Sequence, residues 1–456
     1  MKIVKQQFIL PWIIKISSLL LFSFLWGQSF PSIHPKNPIV VIPGILGSQL
    51  VDPIMQKTVW GKFFDLDAVD PHAAFIRTSE DRDGLELPIN KWPINQNIDR
   101  LVPREILTRF ETFNKMASVR TYENLIQLFS QCGLAEGDIN HCTIQDNLFL
   151  FSYDWRRDLV EAAKLLGERI DEIKSVNNGK SQQVTIIAHS MGGIIAMYYM
   201  MYGQVDVLSG YEYNQIPEPT YIGAKNIDKI FFLGVPFEGN PSAFKTLHEG
   251  EYISPFVSIS QWSTFTMPSI YELLPLDPKG IFIDENEEPI SIDIFNIDEW
   301  VDYGFGIFSK DVWRHFEQEC ELFFPSEGKA LSHKRWKEFK VFISGALKRG
   351  KKFQLALIAM DWTKVQTERN VISGDCSTTL SSIELTGNSP GNTLVKGVKS
   401  RWGKETYYHT KGGDGLILYD SQKNQIEEAD HSLKGCFKHR TLPDYKEVQQ
   451  AIINWL

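Results

Sequence analysis

The chain has 456 residues, 43% of them hydrophobic and 12% aromatic, which is ample for a large buried core and at odds with a disordered or fibrous protein. A formal net charge of −9, with no basic stripe to offset it, removes the simplest electrostatic route to nucleic acid. A membrane surface stays reachable through apolar contact.

The N-terminus carries Lys2 and Lys5, then the apolar run IIKISSLLLFSFLW, then Gly27 and Ser29. Basic start, apolar middle and small residues at the −3 and −1 positions predict a secretory signal peptide over residues 1–29. Lys15 interrupts the run, which speaks against an uncleaved membrane anchor. The mature protein is then expected outside the cytoplasm, secreted or periplasmic, as one domain over residues 30–456.

The β-branched run Ile39 to Ile42 is bounded by Pro38 and by Pro43-Gly44, the pattern of a short buried strand. LFLFSYD, Leu148 to Asp154, predicts a second strand. Leu159, Ala163, Leu166, Ile170 and Ile173 then recur at helical spacing until Asn178-Gly179 breaks the chain. Next come an apolar strand from Val184 to Ala188, the apolar helix MGGIIAMYYMMYG, and a strand from Lys229 to Pro236. Continuous apolar strands alternating with helices predict a parallel sheet covered on both faces, the α/β class. Residues 52–137 and 240–331 break the alternation, and no flexible linker sets them off, so both are expected as insertions over one core.

The five cysteines are Cys132, Cys142, Cys320, Cys376 and Cys436. Export would permit disulfides; Cys132 with Cys142 is the shortest loop to close, Cys376 with Cys436 a second pairing, and buried free thiols are the bland alternative.

The chemistry concentrates in VTIIAHSMGGIIAMYYM. An apolar strand runs into Ala-His-Ser-Met-Gly-Gly and straight into a helix, the G-x-S-x-G elbow with Ala188 at its first position. Small neighbours let the helix pack on the strand, and the helix N-terminus favours negative charge at the serine. Ser190 is the expected nucleophile, with the Met191 N–H as one oxyanion donor. The loop PGILGS after the first strand is placed to supply a second, from Leu46, with Gly44 and Gly47 permitting a tight path.

Chain order in such hydrolases is serine, acid, histidine. The late histidines are His409, His431 and His439. His439 sits between a short apolar segment and a terminal helix marked by Tyr445, Val448, Ile452 and Leu456, where the base belongs; His431 is the reserve. Asp414, between glycines on a turn after a Tyr-rich strand candidate, is the expected acid, with Asp420 and Asp375 as competitors. Asp81 and Asp83 form only a fragment of a calcium loop, with no Glu where that loop needs one. Without H-E-x-x-H, paired-Cys spacing or a phosphate-binding glycine loop, no metal and no cofactor are expected.

Together these segments resemble one family, the lecithin:cholesterol acyltransferases with their lysosomal phospholipase and bacterial relatives. PGILGSQL resembles its early oxyanion loop, FSYDWR its Y-D-W-R signature, AHSMGG its elbow, LGVPFEGNPSAF its G-V-P-x-x-G segment, TMPSIYELLP its P-S-x-x-x-L-L-P segment, and GGDGLILYDS its acid loop. One departure is G-D-G-L-I-L where the family has G-D-G-T-V-P. The resemblance implies an α/β-hydrolase fold with a mostly parallel central sheet and cap insertions. It also implies the triad Ser190, Asp414 and His439, with Leu46 and Met191 as oxyanion donors. A lid is implied between about Asn240 and Ile270, as are a Cys376–Cys436 disulfide beside the acid and an acyl-lipid substrate met at a transient lipid-surface contact. Trp60, in TVWGKFF, aligns with a tryptophan near the family's acyl site, core packing being its plainer role.

The expected function is therefore a serine-dependent acyl-ester hydrolase or O-acyltransferase acting on lipid esters, phospholipids first, through an acyl-enzyme. The alternatives are an esterase for small soluble esters and a non-catalytic binding protein on a hydrolase scaffold. Acyl acceptor, head group, chain length and oligomeric state are not written in these motifs.

Overall fold

The computed structural model describes residues 32–61, 84–90, 94–112, 117–176, 182–209, 215–254, 257–276, 281–386, 394–395, 408–423 and 429–456. The signal-peptide segment and the pair Asp81 and Asp83 lie outside these residues, as does the side chain of His409.

Seven strands form the central sheet: β1 (Ile39–Ile42), β2 (Glu136–Gly137), β3 (Leu148–Leu150), β4 (Val184–His189), β5 (Ile227–Leu233), β6 (Glu368–Gly374) and β7 (His431–Gly435). Their order is β7-β6-β5-β4-β1-β3-β2, and every neighbouring pair is parallel. This is an α/β fold with a parallel central sheet, as the apolar runs predict. β1 and β4 are buried at every position, the burial of a sheet covered on both faces.

Helix α1 (Leu159–Val176) follows β3 and buries the predicted stripe, Leu159, Ala163, Leu166, Ile170 and Ile173. Helix α2 (Met191–Tyr202) is buried along its whole length, so it needs no polar face. Helix α3 (Gly328–Ile358) precedes β6, and α4 (Lys446–Trp455) closes the described chain. The strand order reverses between β1 and β4: from β1 the chain runs to β2 and β3 on one side, then crosses to β4 on the other. In open parallel sheets the crevice beyond the strands' C-terminal ends at such a point is where ligands bind. Here it receives the loop after β1 and the turn after β4.

The insertions share the main core. Residues 48–106 add a small antiparallel sheet, Lys57–Trp60 beside Ser48–Asp52 beside Val102–Ile106. The segment between β5 and β6 is longer than the sequence pattern marks, because α3 belongs to it. Phe244, Trp300, Phe305, Phe342 and Phe353 from this segment are packed with Ile42, Ile186 and Ile194 of the sheet and α2 in one apolar cluster. Strands read from composition come out trimmed: LFLFSYD is a strand only over Leu148–Leu150. The next four residues leave the ladder and turn toward the β1 loop.

The cysteines pair as the family resemblance implies. Cys376 is bonded to Cys436, whereas Cys132, Cys142 and Cys320 take part in no disulfide. The short loop between Cys132 and Cys142 does not close by a disulfide; Cys132 lies at the C-cap of the helix Glu123–Gln131, and the Cys142 thiol reaches the Ile139 carbonyl.

A buried ionic cluster joins α3 to the residues just before α1 and just after α2. Arg349 pairs with Asp158 and with Asp206, and Glu272, 1% exposed, accepts the Leu159 N–H at 2.8 Å. Burial first, and then the Asp158 charge, push the Glu272 carboxyl well above the ordinary carboxylate range. One guanidinium thus serves two carboxylates, while burial favours the neutral form of the third carboxyl. A raised folded-state pKa contributes stability that is complete below the unfolded value of about 4.3 and is lost as pH rises toward the folded value. Glu272→Gln removes that loss. The variant is expected to melt about 2 °C higher than the parent at pH 8, with the gap closing at pH 5; a gap independent of pH in calorimetry would count against a protonated Glu272.

Candidate active site

Ser190 stands between β4 and α2 with φ 54° and ψ −127°. Such a conformation costs a non-glycine residue of order 1–3 kcal/mol, and it makes a strained strand-to-helix turn of the kind a G-x-S-x-G elbow needs. The glycines after it answer a steric demand. A Cβ on Gly193 would lie 2.2 Å from Val235 Cγ2, and one on Gly192 2.6 Å from the Pro43 carbonyl oxygen. Only hydrogens fit where α2 presses on the ends of β1 and β5.

His439 arrives from the loop after β7, at the start of a short 3-10 turn, His439–Asp444, that leads into α4. Its Nε2 lies 2.8 Å from Ser190 Oγ and its Nδ1 2.8 Å from Asp414 Oδ2. A carboxylate only accepts, so Nδ1 carries the proton, Nε2 is bare, and Ser190 Oγ–H donates to it. Asp414 follows the antiparallel strand Tyr408–Gly413 and is 1% exposed. Its Oδ1 accepts the N–H groups of Leu416 and Ile417, and Gln422 Nε2 donates to Oδ2 at 3.2 Å. The Cys376–Cys436 bond links the segments after β6 and β7, and the His439 N–H donates to the Asp414 carbonyl at 2.9 Å.

The competitors sit elsewhere. Asp420 is on the surface beside Lys423, and Asp375 pairs with Lys434. His431 starts β7 and stacks on Trp455, at the N-terminal end of a strand whose C-terminal end faces the crevice.

The loop after β1 lies against the serine: a Cβ on Gly44 would come within 2.8 Å of Ser190 Cβ. Leu46 has φ 65°, and its carbonyl accepts the Trp60 indole N–H at 3.0 Å. The Y-D-W-R segment holds the same loop from behind. Tyr153 Oη donates to the Pro43 carbonyl at 2.9 Å, the Tyr153 N–H to Ser48 Oγ at 3.1 Å, and Trp155 Nε1 to the Ser48 carbonyl at 3.1 Å. Arg156, fully buried, grips Asp99 through two nitrogens and Asp154 beside it. Trp60 packs edge-on against Trp155 with ring centroids 5.3 Å apart. It holds the β1 loop through the Leu46 carbonyl and is not among the side chains that line the cavity beside Ser190.

Ser190 and His439 open into a cavity with about 930 Å³ of empty space, its open mouth included. The walls are mostly apolar, with Ile45, Leu46, Ile253, Ile259, Ile270 and Leu273 among them. Ile253 and Ile259 come from a hairpin, Glu251–Ser254 with Val257–Ile259, inside the segment expected to be a lid. Glu251 on that hairpin meets Arg440, next to the histidine, at 3.1 Å. A serine, a neutral imidazole and a buried carboxylate in this relay can remove a hydroxyl proton and return it to a leaving group. Met191 opens α2 directly after Ser190, and Ile45 and Leu46 line the cavity beside it.

Sequence reasoning missed Gln422, whose amide donates to the Asp414 carboxylate, and Tyr122, whose hydroxyl accepts the Gly44 N–H. Nothing in either residue's type or spacing marks it, since each acts through partners distant in the chain.

Comparison with known proteins follows the same lines. The family model described as lecithin:cholesterol acyltransferase matches residues 111–329, a span with Y-D-W-R, the elbow and the lid segment. Among curated proteins, "Phospholipase A(1) LCAT3" of Arabidopsis thaliana is 24% identical over 55% of this chain and 55% of its own length. "Uncharacterized protein YJR098C" of Saccharomyces cerevisiae is 28% identical over 35% of this chain and 21% of its own. The chain thus spans about half the length of the plant relative and about a fifth of the yeast one. Solved structures similar to it include the Tle4-Tli4 complex, at TM-score 0.49 and 13% identity over 93% of this chain and 98% of that one. Another is mature Bacillus licheniformis lipase BlEst2, at 0.34 and 9% over 93% and 96%. Both scores fall below 0.5, so the fold assignment rests on the sheet itself. The likeness read from the motifs thus extends to a match between residues 111–329, just under half of the chain, and the lecithin:cholesterol acyltransferase family model.

Proposed function

We propose that this chain is a serine-dependent acyl-ester hydrolase or O-acyltransferase that acts on lipid esters, glycerophospholipids foremost, through an acyl-enzyme. The observation that carries the reading is the relay Ser190 Oγ to His439 Nε2 to Asp414 Oδ2, two contacts of 2.8 Å, at the floor of an apolar cavity. His439 takes the Ser190 proton as Oγ attacks the ester carbonyl, and a C–O⁻ forms toward the Met191 and Leu46 N–H groups. The intermediate collapses, the leaving alcohol takes the proton from His439, and the acyl group stays on Oγ. Water or a second alcohol, deprotonated by His439, then takes the acyl group and frees the serine.

The lipid part of the reading draws on the family match, on the plant relative's name and on the aliphatic cavity wall. A transient docking on a lipid surface follows from the class of substrate, and export is proposed on the N-terminal sequence alone.

A fluorophosphonate probe tests the nucleophile. Wild type is expected to be labelled covalently and Ser190→Ala not at all, with labelling rising when lipid or detergent is present. A panel of lipid esters then ranks phospholipids against acylglycerols. Wild type inert to the probe in lipid would leave the binding-protein reading standing in place of this one.

A further inference from the structure

His189, beside the nucleophile, is fully buried and takes no part in the relay, yet both of its nitrogens are engaged. Tyr122 Oη lies 2.7 Å from its Nδ1, and the His439 carbonyl lies 3.0 Å from its Nε2. A carbonyl only accepts, so Nε2 carries the proton; the neutral ring then has a bare Nδ1, and Tyr122 Oη–H must donate to it. Burial, and after it the neighbouring His439, hold His189 well below the ordinary imidazole range, consistent with this neutral tautomer. Tyr122 Oη has a second partner. The Gly44 N–H donates to it at 3.0 Å, so this amide is spent and the loop's charge-facing groups are the ones beyond it.

The bonds make one buried line through the site: Gly44 N–H to Tyr122, Tyr122 to His189, His189 to the His439 carbonyl, and the His439 N–H to the Asp414 carbonyl. The imidazoles of His189 and His439 lie with centroids 4.8 Å apart, and Tyr122 meets His189 edge-on at 5.6 Å. Its members come from the β1 loop, the start of the helix Glu123–Gln131, β4, and the segments carrying the base and the acid. Other bonds hold the β1 loop from the Y-D-W-R side; this line sets its distance from the base.

We infer that Tyr122 and His189 are positioning residues, a buried clamp that fixes the oxyanion loop against the base-bearing loop. The inference rests on the acyl-transfer reading of the site. Removing the tyrosine hydroxyl leaves the Gly44 N–H and His189 Nδ1 buried without their partner, which the chain relieves by rotating the loop. A displaced oxyanion donor costs turnover and not ground-state binding, because the oxyanion exists only in the transition state.

The test compares a short-chain p-nitrophenyl ester with its thionoester, whose sulfur is a poor acceptor for oxyanion donors. In Tyr122→Phe, kcat on the ester is expected to fall about tenfold or more with KM nearly constant, and the ester-to-thionoester rate ratio to shrink by a similar factor. His189→Gln keeps a donor toward the His439 carbonyl and loses the acceptor for Tyr122, so it is expected to shrink the same ratio, and it serves if the first variant does not fold. A fall shared equally by both substrates, or a change in KM alone, overturns the clamp. If wild type turns over the ester only while Ser190 is present, the acyl-transfer reading stands whichever way the ratio goes.

Discussion

His439→Ala is expected to lower kcat on the best ester substrate by about 10⁶-fold, with KM changed little. Adding Ser190→Ala to it should cost almost nothing more. The reason is that the two side chains act in one event. At 2.8 Å from Nε2, the Ser190 hydroxyl becomes a competent nucleophile only as its proton leaves. An alanine at 439 leaves a hydroxyl that holds its proton at neutral pH, and an alanine at 190 leaves a base with nothing to deprotonate. What remains in either variant is the β1 loop and the cavity, worth about a thousandfold over water in both. Single-turnover kinetics on the two single variants and the double would read this directly. If the double variant fell as the product of the singles, Ser190 and His439 would be working on separate steps and the relay would be wrong. His431 is the control. It stacks on Trp455 at the far end of β7, so His431→Ala should leave kcat within about threefold of the parent.

How much of this was legible in the sequence depends on whether a feature is local. β1 and the stripe of α1 follow from hydrophobic periodicity over a few residues. The elbow follows from sterics within five residues. Chain order selects Ser190, Asp414 and His439, and the structure brings Ser190 and Asp414 within hydrogen-bonding distance of His439. The acid was the least local of them, because GDGLILYD offers two aspartates and only the tertiary turn decides which faces inward. Asp420 begins a turn of helix pointing to solvent, while Asp414 is captured by two backbone N–H groups. The pairings of far segments were not written in any window. Gln422 reaches Asp414, and Tyr122 reaches His189 across 67 residues. The Cys132–Cys142 pairing, suggested by loop length, gives way to the bond across 60 residues between Cys376 and Cys436, because strand order, not sequence distance, sets which thiols meet. Trp60 shows the same limit in another form. Its motif marks it as conspicuous, and the fold sets it against the Leu46 carbonyl and Trp155, outside the cavity lining.

Asp414→Asn is expected to reduce kcat by about 10⁴-fold while the protein stays folded, and the cause can be followed atom by atom. The carboxylate takes the Leu416 and Ile417 N–H groups on Oδ1, and the His439 N–H and the Gln422 amide on Oδ2. An asparagine has one oxygen for two such places. Turning its NH₂ toward Oδ1's site sets it against two backbone donors fixed in a turn, whereas at Oδ2's site it meets one imidazole that can change tautomer and one amide that can rotate. The asparagine NH₂ therefore faces His439. The imidazole responds by moving its proton to Nε2, where it points at Ser190 and can no longer accept the hydroxyl proton. Geometry is preserved and the base is lost. The expected pattern is a collapse in kcat with KM near the parent's, a fluorophosphonate labelling rate that falls in step, and a ¹⁵N spectrum in which His439 appears as the Nε2–H tautomer. Activity within tenfold of the parent would transfer the role of acid to Asp420 or Asp375 and would break the assignment of the relay at its third member.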